Sequence, residues 1–522
     1  MIEPTKNTVS KNLQKIYKEA ASYYKIPFVD KDRKKIVIWC IFISAIVINV
    51  YLYFHILDNF PHLLNDFESP YLKIGENMYE HGKYSNCYSE DCIPDTAVLP
   101  VASIIGYLVF LVFGVGNTAL EVLRIILMLC NFGIIITTYY IGKMFNYKIG
   151  CVAAILAAVD LSMFCWSNNF KADMIYAFLF TLSIYFLVKF IKIKQSKKNI
   201  ILASLFLGLA VLTKAGLYML FPLIAGFLLV FLLFVKKESF VKCFYYVSLF
   251  VVIQLVFVVG WQMRNIHATG VKAFSTHVGR IALFKKHVPF VLAYQDGISV
   301  EEAQKRLREK YATEDIMKLD RAGRDAYFKN VAFKIILGSP LDAAFVYLRG
   351  SPQLFLGTTP PDFLFTKQKR EELFEILQVK LYDIHHYSRN DNSSLPMVSK
   401  RVPKYMGPSS SSPLLKKLWN SNHYSYIFMW SMIKAHILLI YLMTIIGSFL
   451  IAKEKSDRWI LVLMVLIIAY SIPIVGPETA SRHRAILMSF FYFLSSYGLV
   501  WIGMVLQQFI KRRSWNEKAS KI

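Results

Sequence analysis

The stretch NDFESPYLKIGENMYEHGKYS (65–85) holds the carboxylates Asp66, Glu68, Glu76 and Glu80, with Asp58 just upstream. It closely follows the first long apolar run, KIVIWCIFISAIVINVYLYFHIL. Further polar groups interrupt or flank later apolar runs. They are Asp160 in AAVDLSMF, Lys171 and Asp173 in SNNFKAD, Lys214 in LTKAG, Arg264 in GWQMRN, and Arg482, His483 and Arg484 in GPETASRHR. Charge at membrane depth is costly and tends to mark function. Acids alone would suit a cation. Acids mixed with lysine and arginine suit a general base beside an anion, and the obvious anion at a membrane surface is a lipid phosphate. A carboxylate can take a proton from an acceptor hydroxyl, and cations can stabilise the charge that builds on a departing phosphate.

Each of these residues also has a plainer reading. Asp66 and Glu68 could be solvated loop acids. Asp173 could cap the helix that follows it. Arg264 could anchor a helix end by snorkelling. Lys214 resists such a reading, because it interrupts apolar sequence with no acid nearby in the chain. Lys434 and His436 read as packing or interface groups. His55, His62 and His81 lack metal-site spacing, and no HExxH, Walker lysine loop or GxGxxG before a strand is present.

The elements that must position these groups are membrane helices. The 522 residues are 55% hydrophobic, and several runs reach the roughly 20 residues that cross a bilayer. Ten spans satisfy both length and loop charge, at 36–57, 121–142, 149–166, 174–193, 199–213, 217–235, 243–263, 424–451, 459–475 and 485–510. The first is too long and too far from the N-terminus for a cleaved signal, so it reads as a retained helix. The net charge of +25 raises nucleic acid as a partner. Its distribution excludes that reading, because the basic residues crowd into 1–35, 143–148, 189–198, 236–242, 453–458 and 511–521. That is the pattern of cytoplasmic loops.

The expected organisation is a cytoplasmic segment 1–35, a membrane core 36–263 with a first outer loop 58–120, an outer region 264–423, C-terminal spans 424–510 and a cytoplasmic tail 511–522. The apolar run 97–116 fits as a re-entrant or interfacial part of the outer loop. Spanning fully, it would push lysine-rich 143–148 outside. VEEAQKRLREKYATEDIMKL reads as one amphipathic helix, and AFKIILGSPLDAAFVYLRGSPQLF as a broken stretch resting on the membrane surface. Cys87 and Cys92 could pair outside the cytoplasm or stay as thiols.

Four stretches together resemble a known family. ESPYLKIGENMYEHGKYS is similar to its first outer loop. LRIILMLCNFGIIITTYYIGKMFNYKIGCVAAILAAVDLSMFCWSNNFKAD is similar to its second and third helices and second outer acid. ILASLFLGLAVLTKAGLYMLFPL is similar to a "GLA-LTK" helix pair, and GWQMRN with ETASRHRAILMSFF to its "PW-RN" and "R-Y-R" elements. The family is the GT-C superfamily of polyprenyl-phosphate-sugar glycosyltransferases, in the branch of protein O-mannosyltransferases and lipid A aminoarabinose transferases. The likeness covers roughly 60–285 and 475–500.

The resemblance implies an all-α polytopic membrane protein, a GT-C-like bundle of about ten or eleven transmembrane helices with large non-cytoplasmic loops. It implies transfer of a sugar from a polyprenyl-phosphate donor to a hydroxyl on a glycan, lipid or protein; the alternatives are a polysaccharide polymerase or ligase, and a transporter or flippase of lipid-linked sugars. Asp66 or Glu68 would be the base and Asp173 would position donor or acceptor. Tyr71, Lys171, Lys214, Arg264, Arg482 and Arg484 would bind the donor. The first-loop acid of the family usually stands three or four residues before the tyrosine. Here Glu68 stands three before Tyr71 and Asp66 five before, and the family's preference for aspartate favours Asp66. The family's arginine before the second acid is replaced by Lys171 or lost. No cofactor is specified. A divalent cation held by Asp66, Glu68 and Asp173 is compatible with the chemistry. The expected setting is a plasma (inner) membrane, with the site on the non-cytoplasmic face.

Overall fold

The computed structural model describes residues 31–59, 69–87, 92–167, 172–276, 278–357, 424–477 and 481–519. All regular structure among them is helical. The first half comprises α1 (Lys31–Asn59), α2 (Pro70–His81), α3 (Pro100–Phe113), α4 (Asn117–Lys143), α5 (Tyr147–Ala158), α6 (Leu161–Ser167), α7 (Asp173–Lys192), α8 (Lys197–Val211), α9 (Leu220–Val230) and α10 (Phe240–Thr269). Then follow α11 (Val288–Asp296), α12 (Val300–Tyr311), α13 (Glu314–Lys318), α14 (Arg321–Gly338), α15 (Pro340–Leu356), α16 (Tyr424–Lys453), α17 (Arg458–Val475) and α18 (Met488–Ala519). Among the described residues, eight helices could cross a membrane by length and composition, or nine if the bent pair α14–α15 is one span. This is a multi-pass membrane protein.

Local chemistry sets the helix ends. Ser69 is followed by Pro70 at the start of α2, and Gly82 ends it in the left-handed conformation at φ 63°. Asn146 caps α5 by accepting from the Lys148 N–H at 2.8 Å, and Ser196 caps α8. The expected span 149–166 is broken. α5 stops at Ala158, and the buried Asp160 accepts from the N–H groups of Ser162 and Met163, which starts α6 afresh. The expected helix over 300–319 is likewise two, because Thr313 restarts the chain as α13. Between α14 and α15 the axis turns by 97°. Pro340 forces this, since the residue before a proline is pushed out of the helical region. The run 97–116 forms the 14-residue α3. At about 1.5 Å per residue that is roughly 21 Å, short of the ~30 Å of a full crossing.

Two ends of the bundle are chemically distinct. At the basic end, Lys192 pairs with Asp457 at 2.5 Å and lies 3.9 Å from the Phe145 ring centroid. Lys453 lies 4.2 Å from the Phe449 ring. At the opposite end the short helices gather. α2 and α3 cross at small residues, where a Cβ on Gly75 would sit 3.0 Å from the Tyr107 nitrogen. The chain at 95–98 then runs beside 274–276, with the Thr276 N–H donating to the Thr96 carbonyl at 3.0 Å and the Ser275 hydroxyl to Ala97 at 2.8 Å.

His287 closes the same end. Its Nδ1 shares a hydrogen bond of 2.8 Å with the Tyr347 hydroxyl on α15, and its ring fills the space beside Gly476, where a side chain would collide with it. Burial, with Lys286 adding to it, pulls the imidazole down to about 4. An unfolded histidine titrates near 6.5, so between these values the unfolded chain binds more protons. The stability from neutral His287 is therefore complete above about pH 6.5 and is lost as pH falls toward 4. The loss is at most about 3 kcal/mol. Melting of the detergent-solubilised protein should fall over this window, and His287→Phe should flatten that dependence.

Candidate functional site

The opposite end carries three groups of polar residues. In the first, Asp173 opens α7 and Lys214 stands in the turn after α8. Their side chains form an ion pair across 41 residues of sequence. Asp173 is buried, and its helix has Ala172 in the capping position with no side-chain cap. The carboxylate serves Lys214 rather than a cap. The Lys214 ammonium also lies 6.0 Å from the ring centroid of Tyr176, one turn into α7. Tyr176 packs on Gly216, where a Cβ would sit 3.1 Å from its hydroxyl. From α17, Tyr470 donates to the Gly216 carbonyl at 2.9 Å and accepts from the Met219 N–H at 3.2 Å. A groove of about 490 Å³ leads to this point between α9 and α17. It is walled by Leu223, Leu461, Val465 and Ala469 and ends at Tyr470. Leu223 and Val465 are exposed on the outside of the bundle.

The second group seats Arg264. Its guanidinium lies between two rings, 4.6 Å from Tyr84 and 4.8 Å from Trp261, and donates to the Asp95 carbonyl at 2.7 Å. Tyr84 donates to the Val98 carbonyl, and burial holds its hydroxyl well above the ordinary phenol range. Tyr71, half-buried in the first turn of α2, lies close enough to interact with Tyr84. Asp95 is 0% exposed, and its carboxylate accepts from the N–H groups of Ala97 and Val98. The first outer loop is thus tied to α10 through Arg264. It is tied to the Lys214 turn as well, because the Val101 N–H donates to the Leu212 carbonyl at 3.2 Å. Cys87 and Cys92 are joined in a disulfide within this loop.

The third group surrounds Arg484, which is 1% exposed. Arg484 donates to the carbonyls of Phe355 and Gly357, Lys434 to that of Leu356, and Tyr441 to that of Phe355. These carbonyls end α15, where unpaired acceptors and the negative end of the helix dipole attract cations. Lys434 is therefore an interface group, in agreement with its sequence reading. Asp160 caps α6 and accepts from the Tyr492 hydroxyl at 2.7 Å.

The structure brings Asp173 and Lys214 together, and sets Tyr71 near Tyr84, the ring on which Arg264 lies. Arg264 and Arg484 engage carbonyls of the surrounding loops. Asp66, Glu68 and Lys171 lie outside the described residues, as does the side chain of Arg482 in the turn Ser481–Leu487. Tyr84, Asp95, Trp261, Tyr441 and Tyr470 were missed in the sequence. Only the first-outer-loop stretch, which contains Tyr84, and the "PW-RN"-like GWQMRN, which contains Trp261, pointed near any of them. As for a metal, Asp173 faces Lys214, and no group of three or more His, Cys, Asp or Glu that could hold one is present among the described residues.

Residues 95–261 match the family described as dolichyl-phosphate-mannose-protein mannosyltransferase. The matched stretch contains Asp173 and Lys214 and stops just before Arg264. Among solved structures, the chain is similar to ArnT from Cupriavidus metallidurans in the apo state, at 15% identity and a TM-score of 0.37, over 88% of this chain and 77% of that one. It is also similar to the apo oligosaccharyltransferase of Archaeoglobus fulgidus, at 14% identity and a TM-score of 0.47, over 91% of this chain and 52% of that one. A third similar structure is AglB from Archaeoglobus fulgidus, in complex with an inhibitory peptide and a dolichol-phosphate, at 12% identity and a TM-score of 0.43. The chain spans about half the length of these archaeal proteins. No curated protein matches it.

Proposed function

We propose that this protein moves a sugar from a polyprenyl-phosphate donor to an acceptor hydroxyl on the non-cytoplasmic face of a plasma (inner) membrane. One observation carries the reading: the buried Asp173 pairs with the half-buried Lys214, two residues before Gly216, whose carbonyl is bonded by Tyr470 at the end of an apolar groove that opens on the outside of the bundle. A groove of this kind suits a polyprenyl chain, and an ammonium beyond its Tyr470 end suits the phosphate that chain carries. Asp173 holds Lys214 in place. With its oxygen engaged by the ammonium, Asp173 positions rather than abstracts, which leaves proton removal to Asp66, or to Glu68.

In the proposed step the acceptor oxygen attacks the anomeric carbon as the carbon–oxygen bond to phosphate breaks. The acceptor proton passes to the carboxylate, and polyprenyl phosphate leaves as an anion against Lys214. Direct displacement inverts the anomeric centre. Arg264 and Arg484 order the loops around the site through the carbonyls they hold, and Lys171 and Arg482 remain further candidates for the donor phosphate. The basic end faces the cytoplasm, by the excess of lysine and arginine in its loops. Acceptors among glycans, lipids and proteins all fit this chemistry. No step is assigned to a divalent cation.

Ala469→Trp would fill the groove without touching the charged pair. Titration with polyprenyl phosphate, read by the shift in melting temperature, should show at least about ten-fold weaker binding than wild type, since the chain supplies most of the buried apolar area. Equal binding by both proteins would remove the groove from the donor site.

A further inference from the structure

We propose that the basic end carries a built site for an anionic glycerophospholipid, in a groove between α1 and α4. The groove has a volume of about 450 Å³. Lys35 opens it from α1 and Lys143 from α4, and both lysines are exposed. The Lys143 ammonium is steadied 5.5 and 5.6 Å from the ring centroids of Tyr139 and Tyr140. From these cations inward the walls are hydrocarbon: Ile38, Trp39, Phe42 and Ile43 on α1, facing Phe132 and Ile136 on α4. Phe42 forms the floor, with edge-on contacts to Phe132 at 5.9 Å and Tyr139 at 5.8 Å.

The length of the groove separates a lipid from a free anion. Its lining on α1 runs from Lys35 to Ile46. At about 1.5 Å per residue that is roughly 16 Å, half of the ~30 Å hydrocarbon thickness. Deeper in the membrane, α1 and α4 are joined directly. Asn131 donates to Asn49 at 3.1 Å, and Tyr53 donates to Glu121. The groove therefore ends at the depth of one leaflet. Two cations stand at headgroup level, with Trp39 exposed nearby as an interfacial anchor. A free phosphate would leave the apolar walls unused, and a zwitterionic headgroup would place its own cation against the two lysines. Basic sites between helices at the cytoplasmic surface are suited to anionic headgroups. The site lies away from the Asp173–Lys214 pair and does not depend on the transfer reaction.

The test uses the full chain in detergent, with phosphatidylglycerol or phosphatidylcholine added, and counts retained lipid by native mass spectrometry. Wild type should retain phosphatidylglycerol in preference to phosphatidylcholine. K35Q/K143Q should bind phosphatidylglycerol roughly ten-fold more weakly or worse. Ile43→Trp, which fills the groove and keeps both lysines, should lose the lipid as well. K197Q/K198Q removes two lysines elsewhere at the same end and should retain it. Equal retention of the two lipids by wild type would overturn the proposal. So would unchanged retention in K35Q/K143Q or Ile43→Trp, or a loss in K197Q/K198Q as large as in K35Q/K143Q.

Discussion

Lys214→Gln is expected to lower sugar transfer by about two to three orders of magnitude, the usual effect of removing one group that stabilises charge in the transition state. The proposed reaction leaves a negative phosphate near the Tyr470 end of the α9–α17 groove, and Lys214, two residues before the Gly216 carbonyl that Tyr470 holds, is the cation assigned to it. Loss of the ammonium also leaves Asp173 buried without this partner, which by itself can cost about 3–5 kcal/mol of stability. Activity and folding must therefore be separated. The double variant D173N/K214Q replaces the ion pair with two neutral amides and should recover much of the melting temperature lost in Lys214→Gln. It should not recover transfer. If the double variant were as active as wild type, the pair would be structural and the phosphate would bind elsewhere.

The second large effect is expected at Asp66. Asp66→Asn removes the proposed proton acceptor while keeping the side-chain shape. A positioned general base contributes about 10²- to 10⁴-fold, so transfer should fall by that range with the melting temperature unchanged. Glu68→Gln should have the smaller effect. The placement of the neighbouring chain supports the choice of this loop. Ser69, three residues on, leads into α2, which packs on α3, and α3 is bonded to the turn that holds Lys214. Transfer rates for the two variants, measured beside wild type, decide the assignment. Full activity in both would place the base outside this loop.

Much of the architecture was legible because it depends on local pattern. Apolar length marked the long spans, and lysine placement marked the basic end, where Lys192 and Lys453 lie against aromatic rings. Asp173 and Lys214 stood out because charge beside apolar sequence demands a reason. What could not be read was pairing across distance. Nothing in the spacing tells that Lys214 meets Asp173, or that Arg264 lies between Tyr84 and Trp261. The break at Asp160 was hidden because the apolar run continues on both sides, while the cap is made by one buried carboxylate. Arg484 carries the same lesson. Its charge suggested a ligand, yet its described partners are the carbonyls that end α15, more than a hundred residues earlier in the chain.

The central claim is that this is an enzyme that consumes a lipid-linked sugar. The most direct measurement follows release of free polyprenyl phosphate by the purified protein from a panel of polyprenyl-phosphate sugars, with an acceptor hydroxyl present. The account predicts release from at least one donor, abolished in Asp66→Asn and strongly reduced in Lys214→Gln. No release from any donor by folded protein, together with movement of intact lipid-linked sugar across a vesicle membrane, would contradict it and identify a flippase.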